Sequence, residues 1–266
     1  MGLKEAVTKV TKVSGRLVLL EGPTGVGKTF QYRTLYEGGL KILVASGERK
    51  LKTIEDLLLK TGEDVYTIED FDYPDPSQPA DYERLKKSPQ RNLYQLLSML
   101  RHEEHEYDVL YIDSFMRIMW RMLMHISATN PNADRRSDFM PLGRKAKNAL
   151  DHLATLTDAT VMKRPMHVVA TWGVESELDP IDGGKKLMPS MDGTKIAPVV
   201  AYYFDDVILL RAKLDENGGT VYTANVQANP QFDAKVSSVV KLPSPLVNPN
   251  LFRIIKALEG ELEVKR

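Results

Sequence analysis

Gly22-Pro23-Thr24-Gly25-Val26-Gly27-Lys28-Thr29 has the spacing G-x-x-x-x-G-K-[ST], which serves one kind of chemistry, the holding of a phosphate chain. The glycines allow a turn tight enough for successive backbone amides to point at one anion, and the helix that follows adds the positive end of its dipole. In that arrangement Lys28 reaches the β and γ phosphates and the Thr29 hydroxyl ligates Mg²⁺. Val109-Leu110-Tyr111-Ile112-Asp113 is the natural second half. Four apolar positions carry a buried strand out to an acid at its carboxyl end, where open α/β sheets bind ligands, and Asp113 would hold the magnesium through water. Hydrolysis also needs a group that orients or activates water. Glu48, just past KILVAS at 41–46, is the candidate base, and a solvated charge in the run GERK is the alternative. Thr171, at the tip of MHVVAT, would either sense the γ phosphate or cap its loop.

These residues need a sheet edge to bring them together, and the chain supplies one. RLVLLEG (16–22) and KILVAS are short apolar runs separated by the helix-compatible GKTFQYRTLYEG, so strand, helix, strand is expected. VYTIEDF (65–71) reads as a further strand before a proline-broken loop at 72–83, and NLYQLLSMLRHEEH reads as a helix leading into YDVLYID (107–113). SFMRIMWRMLMHI reads as a mostly buried, methionine-rich helix carrying an Arg117 and Arg121 stripe, with contact to a partner subunit or DNA the alternative for those arginines; then comes a polar loop at 128–138 and a helix from about Leu142 to Thr157. After MHVVAT a long glycine-bearing loop leads to FDDVILLRAK and TVYTANVQA, a hairpin turning at Asp215 to Gly219. The expected fold class is α/β: a mostly parallel central sheet flanked by helices, with a C-terminal antiparallel hairpin. No break divides the chain, so residues 1–266 are expected to form one domain, with 1–13 an N-terminal segment and 257–266 a C-terminal tail.

Composition narrows the setting. Hydrophobic residues make up 42% of the chain, enough for a globular core, while Lys plus Arg and Asp plus Glu both total 36. No global positive field gathers nucleic acid, so any such contact must come from local patches. Zero cysteines rule out disulfides and thiolate metal sites. MGLKEAVTKV lacks the apolar core of a signal peptide, and no uncharged apolar run is long enough to span a bilayer. A soluble protein of the cytoplasm is expected, with no membrane partner. RHEEHEYD (101–108) has histidines three apart rather than at HExxH spacing, and reads as a hydrated helix end rather than a metal site.

GPTGVGKT, ILVASGE, YDVLYIDS and HVVAT, in this order and spacing, resemble the RecA-like core ATPases. More specifically, they resemble the phage nucleotide-binding proteins related to RecA, a group that includes phage single-strand annealing recombinases. LMPSMDGTKIAPVVAYYFDDVILL and AKVSSVVKLPSPLVNPNLFRII favour the phage group, and the likeness spans roughly residues 14 to 256. It implies a RecA-like P-loop NTPase core that binds ATP and Mg²⁺, hydrolyses ATP with Glu48 as the water-activating acid, and assembles as a homo-oligomer, ring or filament, on single-stranded DNA. It also implies DNA-lining loops, here 128–140 with Arg135 and Arg136, and 172–195 with Lys185 and Lys186. Those side chains would hold a strand by charge, with Trp172 stacking on a base and Lys235 reaching a neighbouring subunit's nucleotide. Two positions depart from the family pattern: Ser46 stands where relatives often have an acid, and Trp172 stands where a polar sensor is usual.

Three functions are therefore open: an ATP-dependent recombination, annealing or replication protein; a nucleotide-gated DNA-binding or scaffold protein in which ATP acts only as glue; and a nucleotide kinase, which LEGPTGVGKT and the DRR at 134–136 also suggest.

Overall fold

The computed structural model describes residues 14–47, 52–61, 64–73, 91–129, 135–178, 183–191, 200–238 and 240–262. Among them one large sheet has the strand order β10-β9-β8-β1-β5-β4-β2-β3. The strands are β1 (Leu17–Glu21), β2 (Ile42–Ser46), β3 (Val65–Thr67), β4 (Val109–Asp113), β5 (His167–Trp172), β8 (Asp206–Leu214), β9 (Thr220–Asn225) and β10 (Leu246–Val247). From β3 across to β8 every pairing is parallel, while β9 and β10 add on antiparallel. The fold is thus the expected α/β class with a late hairpin at one edge.

β1, β2 and nearly all of β4 are buried along their whole length, which is why they read as unbroken apolar runs: a parallel sheet is covered on both faces. Side chains alternate between two cores. Leu17 and Leu19 of β1 join one core with α3 (Leu93–His102), α4 (Phe115–Thr129) and α5 (Arg135–Thr157). Val18 and Leu20 join the other with α1 (Gln31–Glu37), α2 (Lys52–Thr61) and α6 (Leu251–Leu258). Asn92 and Asn250 cap α3 and α6 by accepting from the Gln95 and Arg253 amides at 2.8 and 3.0 Å. No helix among the described residues is long and apolar enough to cross a membrane.

Four expectations change. The strand expected at 65–71 stops at Thr67, where its chain leaves the sheet. The polar loop at 128–140 is mostly helix: α4 runs to Thr129 and α5 starts at Arg135 and contains Pro141. Pro141 follows a first turn and a half rather than preceding the helix, and Ser127 Oγ bonds Asp138 Oδ2 at 2.7 Å to tie the two helices at that end. The expected loop at 172–195 contains an antiparallel ribbon, β6 (Val174–Leu178) with β7 (Lys185–Pro189); burial rises along KKLMP from exposed Lys185 to buried Met188 and Pro189, so the ribbon is seated on the domain at that end. The C-terminal helix continues through Leu258, because Ala257 and Leu258 complete its buried side, so the tail starts later than 257.

At 23 residues, α5 is about 34 Å long, roughly twice the length of the core strands beside it. Its last turn meets the amino edge of the sheet, where the Gly15 amide bonds Thr157 O at 2.8 Å. Its first half still carries the core residues Leu142 and Ala146, and α4 packs against it, the end of α4 tied to the start of α5 by Ser127 and Asp138.

Candidate functional site

The loop between β1 and α1 is shaped by its glycines. Gly22 has φ 153° and a side chain there would place Cβ 2.5 Å from Leu210 O, while Gly25 and Gly27 have φ of 83° and 88°, angles that disfavour residues with a Cβ. The turn closes with short-range bonds from the Gln31, Tyr32 and Arg33 amides to Lys28, Thr29 and Phe30 carbonyls at 3.0, 3.3 and 3.0 Å, so α1 begins tightly wound. Lys28 Nζ donates to Gly22 O at 2.6 Å and Pro23 O at 2.7 Å. Burial lowers its pKa and the charge of Asp113 opposes that shift.

Asp113 ends β4 on the side facing this loop. Thr171 Oγ1 donates to Asp113 Oδ1 at 2.6 Å, and Tyr111, two residues earlier on the same side, donates its hydroxyl to Lys28 O at 2.6 Å. Tyr111 is completely buried and meets Tyr32 edge-on at 5.8 Å; burial, then the charge of Asp113, raises its pKa well above the ordinary value. It therefore stays a neutral donor joining β4 to the start of α1. The Asp113–Ser114 peptide is cis.

Gly25, Val26, Gly27, Lys28, Thr29 and Asp113 line one cavity of about 890 Å³. Its other wall includes Phe30, Tyr222, Asn248 and Pro249, residues far apart in sequence. Gln31 makes that wall part of the same unit: its Nε2 donates to Pro249 O at 3.2 Å and its Oε1 accepts the Leu251 amide at 2.9 Å. A phosphate chain with a magnesium ion fits the residues present. Lys28 and the loop residues line the space an anion would fill, and the hard oxygen donors Thr29 and Asp113 are those Mg²⁺ takes; the exposed rings of Phe30 and Tyr222 suit a flat ligand end.

Of the sequence candidates, residues 24–29 and Asp113 line this cavity, Gly22 and Pro23 hold the amine of Lys28, and Thr171 reaches it through Asp113. Glu48 lies outside the described residues; the strand leading to it ends at Ser46, in register with Asp113. Arg135 and Arg136 are the first two residues of α5 rather than part of a loop. Lys185 is exposed on β7, whereas Lys186 pairs with Asp233 at 2.8 Å. Lys235 runs beside β8, its amide and carbonyl both bonded to Val207 at 3.0 and 2.8 Å. Trp172 is a correction. Its position puts it in line with Val168 and Ala170 on the core side of β5, it is 0% exposed, its ring lies 5.2 Å from Phe115, and its Nε1 donates to Ser190 O at 2.8 Å. It anchors the ribbon rather than offering a stacking face.

Sequence reasoning missed Tyr111, Gln31, Tyr222 and Glu21. The first two carried a signal, a polar group on an otherwise core-facing row; Tyr222 carried none, because its approach to the loop is a product of the hairpin. Glu21 immediately precedes the phosphate loop, is 1% exposed, and neither carboxylate oxygen has a hydrogen-bond partner. Burial first, then the charge of Asp233, pushes its pKa up to about 8, against the opposing pull of Lys186.

A family model described as an AAA domain matches residues 14–238, which takes in every element from the phosphate loop to Lys235. The chain belongs to this AAA-domain family. Its fold is that of a P-loop ATPase, with the loop and the acid-tipped strand one strand apart in the sheet. Among curated proteins no sequence matches the chain. Among solved structures, the RadB recombinase overlaps it with a TM-score of 0.41 at 15% identity, covering 80% of this chain and 81% of that one. The assembled ATPase EscN from the enteropathogenic E. coli type III secretion system gives 0.37 at 17% identity over 74% of this chain and 43% of that one. The pilus retraction motor PilT, with bound ADP, gives 0.35 at 11% over 93% and 52%. The AAA-domain chain thus spans about half the length of the last two.

Proposed function

We propose that this AAA-domain chain is a Mg²⁺-dependent ATPase that acts on single-stranded DNA as a homo-oligomer, in the recombination, annealing or replication of a phage. The observation that carries the reading is the meeting of residues 24–29 and Asp113 in one cavity, with Thr171 and Tyr111 fixing Asp113 and the Lys28 carbonyl from behind. The likeness to phage RecA-related proteins supports the DNA and phage parts, and a RadB recombinase among the overlapping structures is in keeping with them without adding weight.

In this mechanism Lys28 and the loop amides bind and orient the phosphates of ATP, and Thr29 and Asp113 would hold a magnesium ion. The ion supplies charge neutralisation on the phosphate oxygens. Thr171 keeps the Asp113 carboxylate aimed by donating to one oxygen, and Glu48 takes a proton from the attacking water. Tyr222 and Phe30, whose exposed rings line the same cavity, would offer the base a flat contact.

The test is the rate of ATP turnover by the full chain, titrated with single-stranded DNA at two salt concentrations. Stimulation that weakens at the higher salt is expected, and turnover indifferent to DNA at both would remove the DNA part. Lys28→Ala should abolish nucleotide binding; an unchanged ATP affinity in that variant would refute the site itself.

A further inference from the structure

One face of α4 (Phe115–Thr129) is unusual for a helix this buried elsewhere. Arg117, Trp120, Arg121 and Met124 fall at i, i+3, i+4 and i+7, one continuous stripe. Trp120 is 44% exposed and Met124 is 53% exposed, while Ile118, Met119 and Met122 on the opposite side are sealed in the core. The Arg117 guanidinium lies over the Trp120 ring at 5.0 Å, and that of Arg121 lies over Phe71 at 4.8 Å. Among the described residues neither guanidinium is paired with a carboxylate; each lies over a ring.

Beside the stripe is a recess of about 240 Å³ lined by Met116, Trp120, Leu123, Leu142, Glu175 and Met191, some eight times the ~30 Å³ share of one liquid water. Glu175 is the one acid on its wall, and it accepts from Ser190 Oγ. Met116 also lines the nucleotide cavity, so the two spaces share a wall residue. α4 starts two residues after Asp113, so the stripe begins beside the acid that lines the first cavity.

We infer that this stripe is a binding surface for a single-stranded nucleic acid, with a base stacked on Trp120 at the mouth of the recess and adjacent phosphates held by Arg117 and Arg121. The inference rests on the DNA reading above and gives that reading a location on α4 rather than on the ribbon. Charge complementarity selects the occupant. An apolar protein face laid over the stripe would bury two guanidiniums with no carboxylate to meet them, which is costly. A phosphodiester strand neutralises both, and an aromatic platform flanked by arginine suits unstacked bases of any sequence. A duplex hides its base faces and could use only the arginines.

The chain offers its own probe. It has two tryptophans; Trp172 is enclosed and Trp120 is exposed, so an oligonucleotide on the stripe must quench Trp120 emission. With the full chain and a labelled thymidine oligonucleotide, three readouts are expected. Saturable quenching occurs in the wild type and is lost in Trp120→Ala. Affinity by anisotropy falls at least about 5-fold in Trp120→Ala. In Arg117→Gln/Arg121→Gln the slope of log affinity against log salt shrinks by about 1.4, two single-strand contacts at about 0.7 each. Basal ATP turnover without DNA should stay at the wild-type rate in these variants, which separates a binding role from a folding defect; if Trp120→Ala does not fold, the arginine pair and the wild-type quench still decide. Oligonucleotide binding at unchanged affinity in both variants would overturn the stripe while leaving the DNA reading standing. No binding by the wild type at low salt would overturn both. Emission that shifts with protein concentration alone and then ignores the oligonucleotide would assign the stripe to a second copy of the chain, and would also overturn the inference.

Discussion

Glu21 and Asp113 end strands of the same design. LVLLE and VLYID are each four apolar residues closed by an acid, and both acids reach the carboxyl edge, one strand apart. Their surroundings are opposite. Asp113 lines the nucleotide cavity and accepts from Thr171; Glu21 is sealed between the register neighbours Trp172 and Leu209, with both oxygens unpartnered. The cause is parity. Asp113 shares a row with Val109 and Tyr111, toward α1, while Glu21 shares a row with Leu17 and Leu19, toward the other face. A shift of one residue exchanges the faces of a strand, so the same five-letter pattern delivers a cavity-lining acid in one place and a buried, unpartnered one in the other.

Asp113→Asn should show the largest effect on this contrast. Weakening the charge at the metal position is expected to cut ATP turnover by about 100-fold or more, while Glu21→Gln in the same assay stays within about 3-fold because its side chain faces away from the cavity. Equal losses in the two variants would mean that the faces have been wrongly separated.

Glu21 makes a second, smaller prediction, in stability. Its folded pKa of about 8 stands above the ordinary 4.5, so between those values the folded chain keeps a proton that the unfolded chain has released. Stability from this group is therefore complete below about 4.5 and is lost as pH rises toward about 8. Glu21→Gln removes the titration. The melting temperature of the variant relative to wild type should climb by several degrees across that window, and parallel profiles from pH 5 to 8 would show that Glu21 meets a charge partner when ionised, with Lys186 the nearest candidate.

The parity that separates these acids was not legible in the sequence, and the reason is physical. A strand buried on both faces is apolar at every position, so β1 and β4 carry no alternation from which a face can be read. The phosphate loop was legible because its function needs consecutive backbone amides and thus a contiguous motif. Asp113 was legible because it follows an apolar strand, but so does Glu21, and only the loop's partner strand tells them apart. Tyr222, Asn248 and Pro249 were not legible as cavity walls, since they arrive through the β8–β9 hairpin and the α6 connection, long-range contacts that no local pattern encodes. The same holds for Trp172: six residues of β5 set its identity as strand, but the α4 and ribbon packing that encloses it is set elsewhere. The loops at 128–140 and 172–195 were misjudged for a different reason. Polar residues with glycine or proline mark turns, yet a surface helix has a polar face as well, and a ribbon lying on a domain needs only one apolar row.

The smallest effect sharpens the contrast from the Asp113 side. Thr171 is 0% exposed and its hydroxyl is spent on Asp113 Oδ1, so Thr171→Val keeps the shape of the side chain and removes one donor. A hydrogen bond to a charged group is worth about 1.5–3 kcal/mol, but here the carboxylate also has the cavity's solvent to turn to, which places the loss near the lower end. Turnover should fall roughly 10-fold, one decade per 1.4 kcal/mol, with ATP affinity in the absence of magnesium unchanged and the magnesium concentration for half-maximal rate raised. That split matters: if Thr171 sensed the γ phosphate directly, the variant would lose affinity for ATP over ADP without any change in its magnesium requirement. If neither quantity moved, the Asp113 carboxylate would be held by the strand alone, and its difference from Glu21 would reduce to which face each strand end presents.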